Sequence, residues 1–141
     1  MKKITILLVI IIFSPLAAFS QKDTRAVDLE EMINDVKSIV KLRNDDDLWE
    51  SDTITKAVKK HIPVDLEKTE IFDLLDSKKI SYHKTSKKYS EKHNAEESYT
   101  SDIDFWIFPY FVFFDHTLVL FFHFKEEKLT KVQGRVKWNV L

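Results

Sequence analysis

The chain has 141 residues with no cysteine and a single glycine, Gly134, and its 22 Lys and Arg against 23 Asp and Glu leave a net charge of −1. The missing thiols exclude disulfides, cysteine nucleophiles and thiolate metal sites. One glycine excludes Gly-rich phosphate loops, the dinucleotide fingerprint and the Gly-x-Ser-x-Gly elbow, and the balanced charge gives no footprint for nucleic acid.

Residues 1 to about 20 read as a cleavable secretory signal. Lys2 and Lys3 precede the apolar run from Ile4 to Phe13, Pro15 breaks it, and Ala18 and Ser20 supply the small residues of a cleavage site. That run is shorter than the roughly 20 apolar residues a membrane-spanning helix needs. The expectation is an exported protein, periplasmic or secreted, with a mature chain from Gln21 that forms one domain over residues 21–141. With no disulfide available, packing alone must hold that domain. Residues 21–77 carry nine positive and fifteen negative side chains, and residues 78–141 carry eleven and eight. The sign changes where the helical pattern ends.

From Leu29 to Val40 apolar residues recur at 29, 32, 33, 36 and 40, which predicts a helix over about 28–43. Asp28 is placed to cap it, Glu31 to close a capping box, and Val27 with Met32 to form a staple, with Asn44 and the acidic run Asp45, Asp46 and Asp47 as the stop. A second helix follows a Ser51 cap, with Ile54, Ala57, Val58, His61 and Ile62 as its stripe and Pro63 as its end. A third runs from about Leu66 to Lys78, with Asp65 as the expected cap and acids placed before bases along it.

After Ile80 the period changes. Ile80 and Tyr82 open a strand that leads into an exposed, lysine-rich stretch up to Asn94. Eight of the eleven Phe lie between Phe105 and Phe124, in two runs, Ile103 to Phe114 and Leu118 to Phe124, with Asp115, His116 and Thr117 expected as the hairpin turn between them. A membrane helix over 103–124 would bury Asp115 at a cost of about 2.5 kcal/mol or more, so the mature chain is expected to have no transmembrane helix. After a turn at Lys125 to Lys128, Val132, Val136, Trp138 and Val140 alternate with charged and polar residues. This predicts a strand with one buried face, Trp138 on it. The fold class these elements predict is α+β, two or three N-terminal helices packed on a four-stranded antiparallel meander.

Catalytic and metal chemistry find little support in the pattern. His61, His83, His93, His116 and His123 are scattered, no His-Glu-x-x-His occurs, and Asp45 to Asp47 lack the spacing of a calcium loop. No catalytic residue, metal ligand or cofactor is assigned. Two surfaces stand out instead. Ile103 to Phe114 is apolar on both faces, which leaves Trp106, Phe108, Tyr110 and Val112 as an expected interaction surface. Lys84, Lys87, Lys88 and Lys92, with Lys78, Lys79, Tyr82 and Tyr89, form a basic patch for an acidic partner or the phosphates of an envelope glycolipid, or else simply a solvated edge.

The passages Ile62-Pro63-Val64-Asp65-Leu66, Glu70-Ile71, Leu74-Leu75 and Ile80-Ser81-Tyr82, with the hairpin from Phe122 to Val132, resemble small exported α+β modules. The families concerned are the SmpA/OmlA outer-membrane assembly proteins and the β-lactamase-inhibitor-protein modules, over about residues 50–140. The resemblance implies helices on an antiparallel meander and a role in binding other proteins rather than catalysis. The function expected is therefore a non-enzymatic binding module of the cell envelope that meets another protein or a second copy of itself. A small hydrolase or metal-dependent enzyme and a carrier of an apolar ligand are the alternatives.

Overall fold

The computed structural model describes residues 26–42, 52–107 and 114–140, so the signal segment, the Asn44 to Asp47 loop, Ser51, Phe108, Tyr110 and Val112 lie outside the described residues. Helix α1 is Leu29–Leu42, and the Asp28 carboxylate accepts the backbone N–H groups of Glu30 and Glu31 at 3.0 and 3.1 Å. Those are donors that the first turn cannot satisfy itself. Leu29, Met32, Val36 and Val40 form its buried stripe. Helix α2, Asp52–His61, buries Ile54 and Val58, and Ile62 is buried just before Pro63.

Helix α3 is Lys68–Ser77, with Ile71 and Leu75 buried. Its cap is Glu67 rather than Asp65: the Glu67 N–H donates to the Glu70 carboxylate at 2.7 Å. Asp65 instead turns with φ 71° and gives its N–H to the Leu129 carbonyl at 2.8 Å, which ties the turn before α3 to the last strand. At the other end Lys79 takes φ 57°, Ile80 N–H reaches the Leu75 carbonyl and Lys79 N–H the Asp76 carbonyl. This is a Schellman closure with lysine where glycine is usual.

The sheet has the order β1-β2-β3-β4, all antiparallel, from β1 Tyr82–Lys84, β2 Glu97–Phe105, β3 Phe114–Lys125 and β4 Lys128–Val140, with a short helix α4, Lys87–Lys92, between β1 and β2. The fold is α+β with a meander sheet, as expected. Rows such as Ile103↔Leu118↔Val136 and Tyr99↔Phe122↔Val132 face α1, α2 and α3. Phe122, Phe124, Leu118, Leu120, Val132 and Val136 are all at most 1% exposed there. Among the described residues no helix is long and apolar enough to cross a membrane.

Helix α2 lies directly on β4. Thr55 Oγ1 donates to the Gly134 carbonyl at 3.2 Å and accepts its N–H at 3.3 Å, so a side chain of the helix satisfies backbone groups that β4, as an edge strand, does not share with β3. The β3–β4 connection is a two-residue turn in which Glu126 and Glu127 both have positive φ, 50° and 60°. That is the turn whose twist matches a hairpin.

Four expectations are corrected. Asp115, His116 and Thr117 are not a turn but belong to β3, paired with Asn139, Trp138 and Lys137. Thr117 is held there by its hydroxyl on Asp104 at 2.6 Å, and the His116 ring stacks on Phe105 at 5.5 Å and lies tilted against Trp138 at 4.8 Å. Strand β2 starts at Glu97 and ends at Phe105 instead of running from Ile103 to Phe114, and from Asp102 to Ile107 exposed and buried residues alternate in the ordinary way. Helix α4 replaces part of the expected open connection, with Ser86 accepting the Tyr89 N–H as its cap. Trp138 has the expected parity but is 39% exposed, because it sits at the end of the sheet beyond Val136, over His116.

Candidate functional site

Two places collect the predicted site residues. The first is the end of the sheet where β2 stops. Trp106, directly after Phe105, is 65% exposed, against 39% for Trp138. Beside it a groove of about 380 Å³ is lined by Glu30, Ile33, Asn34 and Lys37 of α1 and by Asp104, Phe105 and Trp106. Phe105 points into the core at 3% exposure, so the reversal of facing between positions 105 and 106 is what puts one ring inside and the next outside. Trp138 is at this same end, since Phe105, His116 and Trp138 form one row across the strands.

The second place is the outer face of the sheet, opposite the three long helices. Here α4 lays Tyr89, Ser90 and His93 over β3. The rings of Tyr89 and His93 are 4.6 Å apart, His93 and His123 4.6 Å, and Tyr89 and His123 5.9 Å. His123 is completely buried; its Nδ1 is 2.8 Å from the Ser98 hydroxyl and its Nε2 3.2 Å from Gln133 Oε1. An amide oxygen only accepts, so Nε2 carries the proton and Nδ1 accepts from Ser98, a neutral tautomer. Burial accordingly pushes His123 down to about 4. The pair looks like a nucleophile and base, but Ser98 is also fully buried and the third member is an amide, not a carboxylate. The arrangement satisfies buried polar groups, and no substrate atom reaches Ser98.

The basic patch divides. Lys84 is spent on Glu97, which also takes Lys68 at 2.5 Å, so these cations hold the Glu97 carboxyl at about 2. Lys87 is 3.9 Å from Glu91, while Lys88 is exposed. Lys92, exposed at the end of α4, acts on the charge of its neighbour His93 together with Lys131 and Arg135 of β4, two residues that sequence order gave no reason to join to it. All three depress the proton affinity of His93, after burial itself. The Arg135 guanidinium lies 5.3 Å from the Phe121 ring centre.

His61, 6% exposed at its side chain, meets Asp35 at 2.8 Å, and Lys60 meets the same oxygen at 2.9 Å. These bonds tie α1 to α2 and, the one to His61 most, hold the Asp35 carboxyl below its ordinary range. Among the described residues no group of three His, Cys, Asp or Glu is arranged to hold a metal ion. No family model matches the chain, and no curated protein or solved structure matches it significantly.

Proposed function

We propose that the mature chain is an exported, non-enzymatic binding module of the cell envelope, periplasmic or secreted, which takes hold of a protein partner at the end of the sheet around Trp106. The observation that carries this reading is the 65% exposed indole of Trp106 beside a groove whose rim mixes Glu30, Lys37 and Asp104 with Ile33. A tryptophan left in water forgoes a large burial, and such rings are over-represented among the anchors that dominate interfaces. A rim of both charge signs around an apolar centre suits another protein better than an apolar small molecule or a lipid surface. Phe108, Tyr110 and Val112, which follow Trp106 in the sequence, are counted with it in this proposal.

The test is a paired one. Trp106→Ala should retain the far-ultraviolet circular dichroism and unfolding midpoint of the parent, and should lose the partner that the parent captures from its native envelope fraction. Lys88→Ala, remote from the groove, should keep that partner. Unchanged capture by Trp106→Ala would sink the reading, as would its unfolding together with unchanged capture by Tyr110→Ala. Export is tested separately: mass spectrometry of the secreted or periplasmic protein should find Gln21 at the N-terminus, and retention of residues 1–20 would refute it.

A further inference from the structure

We propose that Lys92, His93, Lys131 and Arg135 form a binding site for a phosphate-class oxyanion on the outer face of the sheet, separate from the Trp106 surface. The cations come from two elements. Lys131 and Arg135 stand four apart on β4, both on the outer face, opposite His123 and Val119 respectively, and Lys92 with His93 ends α4 above them. The floor is aromatic, Tyr89 and His123 under His93 and Phe121 under Arg135.

What marks this cluster is its missing counter-charge. Several other basic side chains on or beside the sheet have carboxylate partners: Lys84 and Lys68 share Glu97, Lys128 reaches Glu67 at 4.0 Å, and Lys137 reaches Asp102 at 3.1 Å. Among the described residues no carboxylate is ion-paired with Lys92, Lys131 or Arg135. The groups that face His93 are Lys92 and Tyr89 on α4, His123 on β3, and Lys131 and Arg135 on β4, none of them acidic. Of the nearby acids, Glu91 is with Lys87, and Asp102, across β3 from Arg135, is with Lys137.

Permanent positive charges gathered without an anion repel one another and destabilise the fold that gathers them. An anion removes the repulsion. Arg and Lys offer only donors, and the Arg fork matches an oxyanion with two oxygens on one side. A ligand with three or more acceptor oxygens and about two negative charges fits this set better than a lone carboxylate. Burial first, and then these same cations, depress the proton affinity of His93. An anion among them offsets the cations' share, so bound anion and bound proton favour each other: anion binding raises the titration midpoint of His93, and lowering the pH towards that midpoint tightens the anion.

The experiment follows the His93 and Arg135 side-chain resonances by NMR while inorganic phosphate replaces sodium chloride at constant ionic strength. The expected result is a saturable shift, with the His93 midpoint raised by roughly half a unit or more. Arg135→Gln and Lys131→Gln should each weaken the response about tenfold or more, the loss of one charge-assisted contact. Lys84→Gln removes the same charge from a lysine already neutralised and should leave the response intact. A second arm measures sedimentation with phosphatidylglycerol and with phosphatidylcholine vesicles. Arg135-dependent binding to the first only assigns the phosphate to a lipid headgroup, and a phosphate response without vesicle binding assigns it to a soluble phosphoryl compound. The proposal is overturned by no saturable response in either arm, by a response that Lys84→Gln weakens as much as Arg135→Gln and Lys131→Gln do, or by polyglutamate displacing phosphate at equal charge. Should Arg135→Gln fail to fold, Lys131→Gln alone decides.

Discussion

Gly134 has no unusual backbone angle; it is needed for space. A Cβ there would stand 2.6 Å from Val58 Cγ2 and 3.2 Å from Ile54 Cγ2, on the helix that rests on it. Gly134→Ala should therefore lift α2 from β4 and cost about 1–3 kcal/mol in chemical denaturation. A neutral result would mean that α2 shifts freely on the sheet. His123 and Glu97 make separable claims about pH. The folded state holds His123 at about 4 against an ordinary 6.5, so unfolding takes up a proton between those values. Stability falls as pH drops through that window and the loss is complete below it. Glu97, held at about 2 by Lys68 and Lys84 against an ordinary 4.5, stabilises above 4.5 and ceases to as pH falls from 4.5 to 2. Denaturation midpoints against pH should show both declines. His123→Gln should flatten the upper one while lowering stability at neutral pH, and an unchanged upper slope would show that another group carries it.

Among the elements, the closure of α3 offers a gain. Lys79 pays the left-handed strain of a side chain at φ 57°, so Lys79→Gly should stabilise by up to about 1 kcal/mol, read from the denaturation midpoint. Any destabilisation would mean the lysine side chain outweighs its backbone cost. On the sheet, Phe122→Ala should cost about 3–5 kcal/mol, and Trp138→Ala, at the exposed end of β4, about 1 kcal/mol. Equal costs would place Trp138 in the core after all. The three long helices were legible because each buries a stripe of 3.6-residue period, and β4 because it alternates. The first half of β2 was not. Its buried positions are Ser98 and Ser101, which pair with His123 and the Ser81 carbonyl, and so leave no apolar signal. Helix α4 has no apolar stripe in its six residues, and Asp115 to Thr117 carry turn-forming residue types whose strand geometry is set by Asp104 and the rings beside them. Of the site, the Trp106 aromatic was visible in sequence. The partners that neutralise Lys84, and the β4 residues that join Lys92, are products of strand register, which no local pattern encodes.

Across the whole molecule, the two ends of the chain share one core. Ile54 and Val58 of α2 lie against Gly134, and the Asp65 and Leu66 turn exchanges backbone hydrogen bonds with Leu129. A chain cut after Lys125 should accordingly show little helix by circular dichroism and no cooperative melting, whereas a helical, cooperative fragment would mean that the helices support themselves. This closure has a bearing on how such a polypeptide is handled in time. A chain delivered from its N-terminus onward presents α1, α2 and α3 before β4 arrives, and until then α2 and the turn before α3 lack the strand they rest on. Commitment then waits on β4, so a chain made or moved N-terminus first stays pliable until that strand is free to pair and then closes at once.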